Sequence, residues 1–340
     1  VLAVRDLVVS FATPRGAARV VDGVSWSVAA GETLAVVGES GSGKSVSALA
    51  VLGLLPSRGT TVTGSVEFDG RDLLTASAAD LRAVRGAGIA MVFQDPTAAL
   101  NPLLTLGRQL TEGMQVHLGL SRRAANARAA ELLAAVGLPD PAGKLRAHPH
   151  ELSGGQQQRV LIAMALACDP KVLLADEPTT ALDVTVQAQL LELVAELRQR
   201  LGIAVVWISH DLGVVAGLAD RIAVMYAGQI VEEGPTRALF DDPRHPYTRA
   251  LLAARPLLGE VRETLTAIPG RPPDPTDRPA GCVFRARCPV AADPRCDTER
   301  PPLSDVGPGH RAATFYHPLV SDEASAIAHG SSDATGVIRP

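Results

Sequence analysis

The chain has 340 residues, a formal net charge of −4, 46% hydrophobic residues and 3% aromatics, with no apolar run near the roughly 18 residues needed to cross a bilayer. These numbers predict a soluble protein with room for two domains and a core that needs no disulfides, and they argue against a nucleic-acid binder, which would show a basic face or a set of stacking rings. No secretory pattern opens the sequence, so the expected compartment is the cytoplasm.

In chain order, residues 33–38 (TLAVVG) predict a short buried strand and 45–55 (SVSALAVLGLL) a helix. Residues 88–94 (GIAMVFQ) read as a strand, and 121–137 (SRRAANARAAELLAAVG) as an Ala-rich amphipathic helix closed by Gly137. The stretch after Gln94 is mostly helical in pattern and reads as an insertion over about residues 95–160. A helix over 156–168 (QQQRVLIAMALAC) stops at Asp169-Pro170, and a buried strand follows at 171–176 (KVLLAD). A long helix over 184–202 ends at Gly202, before another buried strand at 203–210 (IAVVWISH). Apolar strands without polar alternation, separated by helices, imply an α/β fold with a parallel core sheet covered on both faces.

Beyond Arg255 the character changes. Of the 25 prolines, 13 lie there, with three of the four cysteines. A run such as IPGRPPDPTDRP excludes regular helix or central strand, because proline removes a backbone donor and restricts its predecessor. The expected organisation is an ordered domain over 1–255, an irregular cysteine-bearing extension over 256–320 and a frayed tail over 321–340. Cys168, beside Asp169-Pro170, reads as a small core residue.

Three motifs carry chemistry. Gly38-Glu39-Ser40-Gly41-Ser42-Gly43-Lys44-Ser45 is a full G-x-x-x-x-G-K-S between a strand and a helix. Its glycines let backbone N–H groups point at phosphate oxygens, Lys44 reaches the β- and γ-phosphates, and Ser45 sits on Mg2+. Val172 to Glu177 delivers two adjacent carboxylates to the end of a buried strand. Asp176 suits the metal shell, and Glu177 suits polarising the water that attacks the γ-phosphate. Leu152-Ser153-Gly154-Gly155-Gln156 opens a helix that Ser153 can cap, giving a second anion-binding helix terminus.

That last motif resembles the signature of the ABC (ATP-binding cassette) ATPases, and others follow in the family's order. Gln94 in VFQDP resembles the Q-loop glutamine, Ala181-Leu182-Asp183 the D-loop, His210 in WISHD the switch histidine, and Phe11 the aromatic that stacks on adenine. Taken singly each has an ordinary reading: Phe11 as core, Gln94 as a strand cap, His210 as a satisfied strand end. The resemblance covers about residues 1–255. It implies an antiparallel N-terminal β subdomain, a helical subdomain and two cassettes meeting head to tail. ATP on one phosphate loop would then be covered by Ser153, Gly154, Gly155 and Gln156 of the other cassette, with Asp183 also at the nucleotide. Ser45, Gln94 and Asp176 would surround Mg2+, Glu177 would act as base, and His210 would hold the γ-phosphate and attacking water.

The flanks MVFQDPTAALNPLLTLGRQLTE, ADEPTTALDVTVQAQLLELV and DDPRHPYTRALLAARP resemble the oligopeptide/dipeptide importer ATPases, a group that includes nickel-uptake relatives. The implied role is the ATP-hydrolysing subunit of a peptide importer at the cytoplasmic face of the membrane. Its implied partners are a second, related cassette in a heterodimer, two transmembrane permeases held by the Gln94 loop and the residues after it, including Asp95 to Leu106, and an extracytoplasmic substrate-binding protein. Import of nickel or another small solute by the same machinery stays open. From other classes, so do a soluble ABC clamp, which would call for a basic face or tandem cassettes, and a metal-binding redox sensor.

The stretch IPGRPPDPTDRPAGCVFRARCPVAADPRC resembles that group's C-terminal extension, whose cysteines hold a [4Fe-4S] cluster in some members. Cys282, Cys288 and Cys296 match three ligands, but Thr314 stands where the fourth cysteine is expected. Three outcomes follow: a cluster with another fourth ligand, His310 being nearest; a three-cysteine site with an open iron position or three irons; or no cluster. A Cys3His zinc site is a further alternative.

Overall fold

The computed structural model describes residues 1–180, 182–254, 268–291 and 293–315. Ala181, the expected domain boundary at Arg255 and the expected tail over 321–340 lie outside the described residues. In chain order the strands are β1 (Leu2–Thr13), β2 (Gly16–Val28), β3 (Thr33–Val37), β4 (Thr60–Phe68), β5 (Arg71–Asp72), β6 (Ile89–Val92), β7 (Val172–Asp176), β8 (Ala204–Ser209), β9 (Arg221–Tyr226), β10 (Gln229–Pro235), β11 (Leu303–Gly307) and β12 (His310–Ala313).

They form two sheets. An antiparallel sheet runs β2-β1-β4-β5, and an eight-stranded sheet runs β11-β12-β10-β9-β3-β8-β7-β6. Within the larger sheet, the neighbours from β9 through β3, β8 and β7 to β6 pair in parallel. Strands β3, β7 and β8 are buried at every position, which is why they read as unbroken apolar runs. Their side chains alternate between two cores. Val37, Leu173, Val205 and Trp207 enter one with the helical segment's Leu106, Leu110, Met114 and Leu133. Leu34, Leu174 and Val206 enter the other with Leu2, Val4, Leu7 and Val66 of the antiparallel sheet.

The helices start where their capping residues stand. Thr105, Ser121, Ser153 and Asp183 each accept a first-turn N–H, opening the helices Leu106–Leu118, Arg122–Ala135, Gly154–Ala165 and Val184–Leu201. The helix expected over 45–55 spans Lys44–Val51, because the Leu52 N–H already turns back to Ala50 O. The strand expected over 88–94 ends at Val92, which leaves Gln94 in a loop. Among the described residues no helix is long and apolar enough to cross a membrane.

The extension is more ordered than its prolines suggested. β11 and β12 form a hairpin that adds to the large sheet, with Glu232 opposite Ala312 and Glu233 opposite Arg311. Proline density excludes a central strand but says nothing against a hairpin covering the edge that β10 would otherwise leave open. Phe284 anchors the extension in the main core, 5.2 Å from the Tyr226 ring and 5.4 Å from that of Tyr247.

Candidate functional site

The residues from Gly38 to Gly43 turn the chain from β3 into the helix Lys44–Val51. Gly38 admits no side chain, since a Cβ there would fall 2.0 Å from Met225 O. The helix is opened by Gly43 without a side-chain cap, so its first N–H groups are not taken up by a capping side chain. Lys44 is 4% exposed, and its Nζ donates to Gly38 O at 2.8 Å and Glu39 O at 3.0 Å. Burial lowers its pKa, opposed by the carboxylates of Glu177 and Asp176. The buried Ser42 Oγ has no hydrogen-bond partner among the described residues, as a group awaiting a polar ligand would be.

Asp176 ends β7 and accepts 2.8 Å from Ser45 Oγ. Burial raises its pKa, more than the Ser45 bond lowers it. Glu177 follows at φ 45°, a left-handed conformation that costs a non-glycine residue about 1 kcal/mol or more. Its N–H donates to Ile208 O at 3.0 Å on β8. This turn sets the carboxylate among four groups. Oε2 lies 3.0 Å from His210 Nδ1 and accepts from Thr180 Oγ1 at 3.1 Å and Gln94 Nε2 at 3.4 Å, while Oε1 lies 3.8 Å from Lys44 Nζ. Ser40, Gly41, Gly43, Lys44, Ser45, Gln94, Glu177 and His210 line one open cleft of about 590 Å³, at the carboxyl ends of the parallel strands.

Other expected site residues stand apart. Phe11, near the end of β1, packs against the core shared by the two sheets and does not line the cleft, whose walls include Val20 and Leu251 instead. Ser153, Gly154, Gly155, Gln156 and Asp183 do not line it either. Ser153 and Gln156 form a reciprocal capping box, and Gly155 packs on the Asp183-capped helix: a Cβ on it would fall 2.9 Å from Val186 Cγ1. The site also contains residues that the sequence did not single out. Thr180 is three positions after Glu177, a spacing that a search for further hydroxyls would have found. Tyr247, whose Oη accepts the Glu39 N–H at 2.9 Å, is distant in sequence and carries no local signal.

The cysteines do not fit a cluster or metal site as arranged. Cys282, Cys288, Cys296 and Thr314 border one cavity of about 10 Å³, barely room for one water. Among the described residues, no group of three or more His, Cys, Asp or Glu side chains is placed to hold a metal ion. His310, the expected substitute ligand, is buried with its Nε2 2.7 Å from Glu232 Oε1, and His245 rather than His310 borders the cavity. Burial raises the Cys282 thiol pKa and pushes that of Cys288 up to about 11. The expectation of an iron–sulfur cluster therefore finds no support in the donor set.

Comparison with known proteins agrees with the geometry of the cleft. The ABC transporter family matches residues 21–180, and the oligopeptide/dipeptide transporter C-terminal region matches residues 231–296. The dipeptide transport ATP-binding protein DppD of Escherichia coli is 50% identical over 315 residues, 93% of this chain and 96% of the relative. The oligopeptide transport ATP-binding protein OppD of Bacillus subtilis is 50% identical over 321 residues, 93% and 89%. A solved ATP-binding cassette, MJ0796, described as a dimer in a post-hydrolysis state bound to ADP and Pi, superposes with a TM-score of 0.62 at 28% identity, over 70% of this chain and 99% of that one. With a phosphate loop, paired carboxylates and a signature helix on the same fold, the chain belongs to the ABC transporter ATPases, in the oligopeptide/dipeptide transporter family.

Proposed function

We propose that the chain is the ATP-hydrolysing subunit of a peptide-class importer, working at the cytoplasmic face of the membrane as one half of a head-to-tail cassette dimer. Lys44 and the loop N–H groups hold the phosphates. Mg2+ would be held by Ser45 and Asp176, with Gln94 in the same cleft, and would supply neutralisation of the phosphate charge. Glu177 accepts a proton from the attacking water, and His210 and Gln94 orient that water and the γ-phosphate. The nucleotide held by one chain is closed over by Ser153, Gly154, Gly155 and Gln156 of another cassette. That none of the four lines this chain's own cleft supports the reading. Phe11 does not line the cleft, whose apolar wall is formed by Val20 and Leu251, so its role as adenine platform draws no support from that wall.

The observation that carries this reading is the convergence of His210, Gln94, Thr180 and Lys44 on the Glu177 carboxylate. Glu177→Gln keeps the hydrogen-bonding shape and removes the base, so ATP affinity stays within about twofold while hydrolysis falls by a hundredfold or more, the order expected for losing a general base. Full activity in that variant would overturn the assignment.

The proposed partners follow from the family resemblance: a second cassette in a heterodimer, two permeases and an extracytoplasmic binding protein that delivers peptide. The Gln94 loop and the residues after it support permease docking, because Phe93 and Leu104 are exposed on either side of Gln94 and Leu103 is 84% exposed. Purifying the complex from native membrane and identifying its subunits tests this directly. Recovery without permeases would count against it.

A further inference from the structure

Glu39, the second residue of the phosphate loop, is held from the far end of the chain. Its carbonyl accepts from Ser42 N at 3.2 Å and Lys44 Nζ at 3.0 Å, and its N–H donates to Tyr247 Oη. Its carboxylate receives both terminal nitrogens of Arg287, Nη1 to Oε2 at 2.8 Å and Nη2 to Oε1 at 3.0 Å. Arg287 lies in the short 3-10 turn Arg285–Arg287 of the extension and is 7% exposed. Its other contacts fix it fully: Nε to Pro269 O at 2.8 Å, Nη2 to Ile268 O and Nη1 to Tyr226 Oη, both at 3.2 Å. A buried guanidinium with its fork matched to one carboxylate is a geometric clamp, which lysine cannot reproduce.

The hydrolytic chemistry assigned above uses neither Glu39 nor Arg287, yet the Lys44 ammonium rests on the Glu39 carbonyl. Holding Glu39 by backbone and side chain therefore holds the surface from which Lys44 is presented. We infer that Arg287 is a positioning residue for ATP: through its pair with Glu39, the C-terminal extension keeps the phosphate loop in its nucleotide-accepting shape. This rests on the reading of Lys44 as a phosphate ligand. Breaking the pair loosens the loop but leaves Glu177, His210 and Gln94 in place, so nucleotide binding suffers and the chemical step does not.

The test is Mg-ATP affinity of the full chain by titration calorimetry in a Glu177→Gln background, with hydrolysis by the assembled complex as a second readout. Arg287→Gln and Glu39→Gln each weaken ATP binding by about tenfold, and the double variant is no worse than the poorer single, as for partners in one interaction. KM rises while kcat stays within about twofold. Arg285→Gln disturbs the same turn through a surface pair with Asp297 and leaves affinity unchanged. If Arg287→Gln does not fold, Arg287→Lys and Glu39→Gln carry the test, the lysine giving a smaller loss. Unchanged affinity in Glu39→Gln and both Arg287 variants, additive losses in the double variant, or an equal loss in Arg285→Gln overturns the inference alone. No ATP binding by the parent chain overturns the phosphate-loop reading and the inference with it.

Discussion

Ser45 Oγ donates 2.8 Å to Asp176 Oδ1, tying the first turn of the phosphate-loop helix to the end of β7. The bond does not offset the burial of the carboxylate, whose pKa stays above the usual range. A group with a raised acid pKa destabilises the fold above that pKa and ceases to do so once protonated. Asp176→Asn keeps a hydrogen-bond acceptor for Ser45 and removes the charge. In EDTA at pH 7 it should therefore unfold at a higher temperature than wild type, and the difference should shrink as pH falls into the carboxylate range. The same variant should lose most of the stabilisation that Mg-ATP gives wild type. A lower unfolding temperature in EDTA would show that the carboxylate is not held at a cost for cation binding, the usual trade between stability and function.

His245 gives the molecule a second pH response, in the opposite chemical sense. Its Nδ1 accepts the Tyr247 N–H at 3.0 Å, its ring packs 5.7 Å from Phe284, and Glu232 is the charged group that faces it. Burial dominates that carboxylate and drops the pKa from 6.5 to about 4. Between those values the unfolded chain binds a proton that the folded chain refuses, so stability falls as pH falls from about 6.5 toward 4, by up to about 3 kcal/mol. His245→Asn keeps an acceptor at the helix start and removes the titration. Urea unfolding of both proteins from pH 7 to 4.5 should give a flatter profile for the variant. Parallel profiles would rule the histidine out as the source.

How much of this could be read in advance depended on the range of the interaction. β3, β7 and β8 announced themselves because burial on both faces leaves only apolar residues, and the caps Ser153 and Asp183 are local chemistry that a sequence displays. The cleft was legible for the same reason: Asp176, Glu177 and His210 sit at the ends of such strands, and Lys44 opens the helix that follows the glycine-rich turn after β3. Arg287 and Tyr247 were not, because their meaning lies in a partner 248 and 208 residues away. Proline density misled on the extension, since it reports on single strands and not on a hairpin that completes another sheet. The spacing of the three cysteines carries no sign of their surroundings, which depend on Phe284, His245 and Thr314.

Thr314 is where the cysteine reading can be tested by gain rather than loss. It borders the same small cavity as Cys282, Cys288 and Cys296, so a thiol at 314 would complete a four-thiolate set. The wild-type arrangement offers three cysteines, two of them held as thiols by burial, with His310 committed to Glu232. Wild-type protein purified without oxygen should therefore carry well below one cluster's worth of iron and sulfide. Thr314→Cys, reconstituted with iron and sulfide under the same conditions, should gain both, with the visible absorbance of a cluster, because binding to four thiolates can drive open the cavity of about 10 Å³ between them. Stoichiometric iron and sulfide in wild type would mean that three cysteines suffice and that their packing rearranges to admit the metal. A Cys282→Ser change on the Thr314→Cys background should abolish the gain, which separates a built site from adventitious iron.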